Sequence, residues 1–148
     1  MPYKNASNTY KETRIKTAGQ GQLIVMLYDE AVKQLTKACE LLEMNKTNKR
    51  DPGRIEQVSK AVMKTEEIIT ELMVSLDFEQ GGDIAKNLFS LYTWFNRELL
   101  EANISQNVHR MLTVRDMLAE LRNTWNTISN QSPVEQSKRE TAGLNIAG

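Results

Sequence analysis

Side chains that commonly perform acid–base, nucleophilic or metal chemistry are sparse in this chain. His109 is its single histidine and Cys39 its single cysteine. A di-metal carboxylate bundle takes a Glu-x-x-His motif from each of two helices; here one histidine is present, and Gln106 fills the position three before it. Glu66, Glu67 and Glu71 are neighbours within one helical segment but lie off its apolar stripe, the pattern of a solvated acidic face. There is no glycine-rich phosphate loop and no Gly-x-Ser-x-Gly nucleophile motif. Cys39 adjoins Ala38, as a small core or boundary residue would, and its spatial pairing with His109 is left open by the sequence. One cysteine allows neither an intramolecular disulfide nor a multi-cysteine zinc site. The expectation is a protein that is not an enzyme, with no catalytic residue, no metal and no cofactor.

A single histidine on a helical bundle also raises phosphoacceptor chemistry. His109 is followed by Arg110-Met111-Leu112-Thr113 rather than the Lys-Gly pair usual after such a histidine, which leaves histidine phosphotransfer as a minor alternative. Charge narrows the field further. With 19 Lys+Arg against 19 Asp+Glu and no long basic block, nothing favours nucleic acid or an anionic lipid surface. No apolar stretch approaches the roughly 18 residues needed to span a bilayer, and Met1 to Asn5 lack a signal-type apolar region. No membrane insertion is expected, and the cytoplasm is the expected location.

The elements that would carry a binding surface are helical throughout. Four segments show 3–4 spacing of apolar residues: about Gln22 to Met44 (Leu23, Leu27, Ala31, Leu35, Ala38, Leu42), about Pro52 to Asp77 (Ile55, Val58, Val62, Thr65, Ile69, Leu72, Leu76), about Gly82 to Ala102 (Ile84, Leu88, Leu91, Phe95, Leu99, Ala102) and about Ser105 to Ser129 (Val108, Met111, Val114, Leu118, Leu121, Trp125, Ile128). A polar run from Asn45 to Asp51, Gly81-Gly82, and Asn103 to Ser105 separate them. Short connections between helices of similar length predict an all-α, antiparallel up-down-up-down four-helix bundle. Thr17-Ala18-Gly19-Gln20 matches a capping box. The reading is therefore a mobile N-terminal arm or lid over residues 1–18, the bundle over 19–129, and a disordered, flexible C-terminal tail over 130–148.

Apolar residues exceed what one core stripe requires. Leu23-Ile24-Val25-Met26-Leu27-Tyr28 is apolar on every side of a helix and needs cover on every side. Ile24, Met26, Tyr28, Met73, Phe89, Tyr92 and Trp94 lie beside or off their main stripes, a pattern that suits hydrophobic grooves for a partner helix or extended chain. Without further information, this pattern also fits a generic helical interaction adaptor.

Specific motifs add to that pattern. Tyr10, Ile15-Lys16-Thr17-Ala18 and Gln22 through Ala31 resemble the N-terminal signature of the flagellin export chaperone family, FliS. Gly81 through Leu88, Leu91-Tyr92 and Leu99 through Asn103 resemble its third helix, and Leu121 to Trp125 the end of its fourth. The chain departs in having Gly19-Gln20 where the family often has Ser-Pro, and in a longer charged connector from Asn45 to Arg54. The resemblance implies a bundle that holds the otherwise disordered C-terminal segment of flagellin in hydrophobic grooves, prevents premature polymerisation, and helps deliver it to the export gate, whose FlhA component recognises the complex. The partner contacts expected are Ile24, Leu27, Tyr28, Phe89 and Tyr92, with Tyr10 and Ile15 as lid residues. For Tyr28 and Tyr92 a purely structural role, ring in the core and hydroxyl bonded, is the alternative.

Overall fold

The computed structural model describes the backbone of residues 2–47 and 49–130, and side chains within those ranges from Gly21 onward. All regular structure among the described residues is helical: α1 (Pro2–Thr47), α2 (Pro52–Val74), α3 (Phe78–Ser105) and α4 (Val108–Ser129). α1 packs broadly against α2 and α4, and α3 closes the ring through smaller interfaces with the same two helices. Joined by short turns, the four form the up-down-up-down bundle that the periodicity predicts.

Local chemistry accounts for the boundaries. Asp51 is the N-cap of α2, its carboxylate accepting the Gly53 N–H at 2.9 Å, and Pro52 takes the first helical position, where its missing N–H costs nothing. The polar connector before it is clamped by Asn45, which is buried and whose Oδ1 accepts the Asp51 N–H at 2.9 Å. Asp77 caps α3 by accepting from the Glu79 and Gln80 N–H groups. At the α3–α4 corner, Gln106 adopts the left-handed conformation and the Asn107 N–H bonds the Ala102 carbonyl at 2.9 Å, a Schellman closure. Asn107 then caps α4 by accepting from the Arg110 N–H.

Three boundaries differ from expectation. The first helix does not begin near Gln22: α1 runs from Pro2 through Thr17 to Gln20, so that tetrapeptide is not a cap. The break between the second and third helices lies at Ser75 to Asp77, ahead of the glycines, and Gly82 instead kinks α3 with φ 50° and ψ −126°. The last corner falls at Gln106-Asn107. The expected C-terminal tail lies outside the described residues, apart from Asn130.

The core contains Tyr28, Ala31, Leu35, Ala38 and Leu42 from α1, facing Val58, Val62, Ile69 and Leu72 from α2, Phe95 and Leu99 from α3, and Met111, Val114 and Leu118 from α4. Burial of each large aliphatic side chain contributes about 1.5–3 kcal/mol relative to exposure. Thr65, also fully buried, returns its hydroxyl to the Ala61 carbonyl at 2.9 Å. In α1 the expected stripe holds at Ala31, Leu35, Ala38 and Leu42, but in the first turns Val25 and Tyr28 are buried in place of the expected Leu23 and Leu27. In α3 it runs through Ala85, Tyr92, Phe95 and Leu99 in place of Ile84 and Leu91. Leu23, Leu88 and Trp125, expected in the core, are partly buried. Gly21 marks a close approach of α1 to α4: a Cβ there would stand 2.8 Å from the Ser129 Cβ.

Candidate interaction surface

Tyr28 and Tyr92 sit at the centre of the bundle. α1 and α3 are diagonal helices, and these two tyrosines, 0% and 2% exposed, span the core between them with a hydroxyl–hydroxyl hydrogen bond. Burial pushes the Tyr28 hydroxyl far above its ordinary pKa; Tyr92 raises it further, and a hydrogen bond from the Trp125 side chain acts against both. Tyr92 is raised by burial and lowered by its bond to Tyr28. Both stay neutral, so the pair is a satisfied polar contact in an apolar interior. Buried rings with a shared hydroxyl bond are the structural role the sequence left open.

The remaining expected contacts divide. Ile24 and Leu27 are partly buried on α1 and packed against the core. Phe89 is 42% exposed on α3 and meets Phe78 edge to face, with ring centroids 5.9 Å apart. The side chains of Tyr10 and Ile15 lie outside those described.

Sequence reasoning did not single out the neighbours of Phe89. Asn96 Nδ2 donates to Thr70 Oγ1 and Ser59 Oγ bonds Asn103 Oδ1, so these positions of α3 face α2. Phe89 and Leu100 share that helical face with Asn96 at spacings of seven and four, and Ile104 follows Leu100 by four. Met63 and Val74 are the exposed apolar residues of α2. Together with Phe78 they form an apolar strip along the α2–α3 side, its members ranging from 42% exposed at Phe89 to 81% at Val74. From Phe89 to Ile104 the strip is about 22 Å long at 1.5 Å per residue. Its signal in the sequence was apolar residues at positions a strict stripe assigns to solvent.

The reactive side chains stand elsewhere. Cys39 is buried, and desolvation pushes its thiol up to about 11, which keeps it protonated and a poor nucleophile at neutral pH. His109 is exposed in the first turn of α4, beside a depression lined also by Glu43, Lys46 and Asn107. Among the described residues no group of three or more His, Cys, Asp or Glu is placed to hold a metal ion. No helix among them is long and apolar enough to cross a membrane.

Comparison with known proteins places the chain in a family. The family model described as flagellar protein FliS matches residues 3–132. The flagellar secretion chaperone FliS of Salmonella typhimurium is 32% identical over 128 residues, which is 86% of this chain and 89% of the relative. The Escherichia coli K12 protein of that name is 30% identical over 77% of this chain and 79% of its own length. The one from Campylobacter jejuni is 30% identical over 88% and 96%. On the match across nearly its whole length, the chain belongs to the FliS family of flagellar secretion chaperones.

Proposed function

We propose that this chain binds the C-terminal segment of flagellin in the cytoplasm, keeps it from polymerising, and presents it to the export gate, where FlhA recognises the complex. The observation that carries the client reading is the apolar strip along α2 and α3. Exposed apolar side chains grouped along one side of a bundle suit a partner that covers them. A rigid bundle offers such a surface preformed, so on binding only the client must be ordered. That ordering costs about 2–5 kcal/mol or more and calls for an interface on the order of 1,000–3,000 Å². A 22 Å strip is one part of such an interface, and the client's path continues over neighbouring helices, where Ile24 and Leu27 contribute. Tyr10 and Ile15, on the N-terminal part of α1, act as lid residues. Displacing such a lid lowers net affinity without new chemistry.

Calorimetric titration of the purified chain with the flagellin C-terminal segment tests the proposal. The expected result is one-to-one saturation with a large negative heat-capacity change, the mark of buried apolar area. A folded chain that shows no heat of binding at any temperature would refute it.

A further inference from the structure

The α2–α3 side also holds hydrogen-bond acceptors with no matching donor. Met63, Glu66, Glu67 and Thr70 of α2 and Asn96 of α3 line a recess of about 370 Å³. The orientation of the Asn96 amide follows from its neighbours. Thr70 Oγ1 gives its proton to the Glu66 carbonyl at 2.9 Å, so toward Asn96 it can only accept, and it takes the Nδ2 proton at 3.4 Å. Asn96 Oδ1 is left buried without a partner, a state rarely tolerated unless something fills it. Glu66 is partly buried, and desolvation alone raises its carboxyl above the ordinary range. Among the described residues neither Glu66 nor Glu67 has a basic partner. From Thr65 to Ala85 the chain carries Glu66, Glu67, Glu71, Asp77, Glu79 and Asp83 and not one lysine or arginine.

A recess rich in acceptors, short of donors and rimmed by apolar side chains matches a long cationic side chain, whose aliphatic stem lies on the rim while its head donates to the floor. We propose that the α2–α3 recess binds a lysine or arginine projecting from an amphipathic segment of the export client, whose apolar side chains seat on Met63, Phe89 and Leu100. This inference rests on the client reading above and adds what the surface recognises. Charge complementarity selects the occupant. A second copy of this chain meeting the strip across a two-fold axis would set the same glutamates against each other. A client segment of about 15 helical residues spans the strip from Phe89 to Ile104.

The test titrates the full chain, wild type and variants, with a fluorescent peptide of the flagellin C-terminal segment. Glu66→Gln should weaken binding at least about tenfold, as loss of a charge-assisted hydrogen bond does, and Leu100→Ser should also weaken it. Glu120→Gln, exposed on α4, should leave affinity unchanged. Replacing one particular lysine or arginine of the peptide by glutamine should abolish the difference between wild type and E66Q, the non-additivity of a direct contact. Glu66 is desolvated with no cation beside it, so E66Q should raise the melting temperature of the free chain at pH 7 while lowering affinity. A purely structural role would move both the same way. E66Q binding like wild type, or no basic peptide residue coupling to it, overturns the inference alone. Sedimentation showing the wild-type chain dimerising through this strip also overturns it. Failure of the wild-type chain to bind the peptide at all removes the client reading, and this inference with it.

Discussion

The Tyr28–Tyr92 pair makes the sharpest claim about this bundle, because each hydroxyl is sealed from water and depends on the other. Tyr28→Phe leaves the Tyr92 hydroxyl buried with no partner. An orphaned buried polar group costs about 1–3 kcal/mol, which for a domain of this size lowers the melting temperature by roughly 2–12 °C. Tyr92→Phe likewise leaves the Tyr28 hydroxyl without its partner across the bundle and should cost a similar amount. The double variant removes both hydroxyls and creates no new orphan between the two rings. Its loss should fall short of the sum of the single losses by about 1–3 kcal/mol, because replacing both partners is close to neutral. Urea denaturation of the four proteins, fitted with a shared slope, measures that coupling. Additivity within about 0.5 kcal/mol would show that the hydroxyls do not interact and would refute the account of this core. The pair also sets a pH limit. Both folded-state pKa values are raised, so the stability tied to the neutral hydroxyls is complete below the unfolded tyrosine value of about 10. It is lost as pH rises above that value toward the folded one. The double phenylalanine variant should unfold less steeply above about pH 10 than wild type.

Other expectations follow from single positions. Gly82→Ala places a side chain at φ 50°, ψ −126°, a region nearly reserved for glycine, and should destabilise by about 1–3 kcal/mol in thermal unfolding. Gly21→Ala brings a Cβ to 2.8 Å from the Ser129 Cβ; overpacking of about 1–3 kcal/mol should exceed the roughly 1 kcal/mol of helix propensity gained, and Ser129→Gly should restore the stability. Asn45→Ala removes the acceptor that clamps the connector to Asp51 and should cost about 1–2 kcal/mol, with faster amide hydrogen exchange over residues 49–54 as the local readout. Leu100→Ser, at an exposed position, should change stability by about 0.5 kcal/mol or less, and Phe89→Ser, which loses its edge-to-face contact with Phe78, by about 0.5–1.5 kcal/mol, while both weaken flagellin-segment binding in the same titration. Equal affinity across both variants would remove the strip from the interface.

Much of this protein was legible before any coordinate. Four stripes at 3–4 spacing, separated by polar and glycine breaks, dictate four antiparallel helices, because an apolar helical face has nowhere else to go in water. Motifs spread from Tyr10 to Trp125 carried the family. The sequence set the phase of α1 from Ala31 to Leu42 but not over Leu23 to Tyr28. Six consecutive apolar residues fit a stripe through Leu23 and Leu27 as well as one through Val25 and Tyr28, and periodicity cannot choose when every position is apolar. Tertiary packing chose, since Tyr28 has a hydroxyl that needs a buried partner and Tyr92 supplies it across the bundle. That choice turned two expected surface contacts into core. Pairing of neighbouring helices decided the candidate surface too. Met63, Val74, Leu100 and Ile104 are scattered apolar letters in the chain, and only the packing of α2 beside α3 draws them into one strip with Phe89. Likewise, nothing in the sequence marks Asn96 as unpaired; the hydrogen bond from Thr70 to its own helix leaves that amide oxygen without a donor. Local composition thus determined which helices form, and which faces meet was decided by the partners that buried polar groups could find across the bundle.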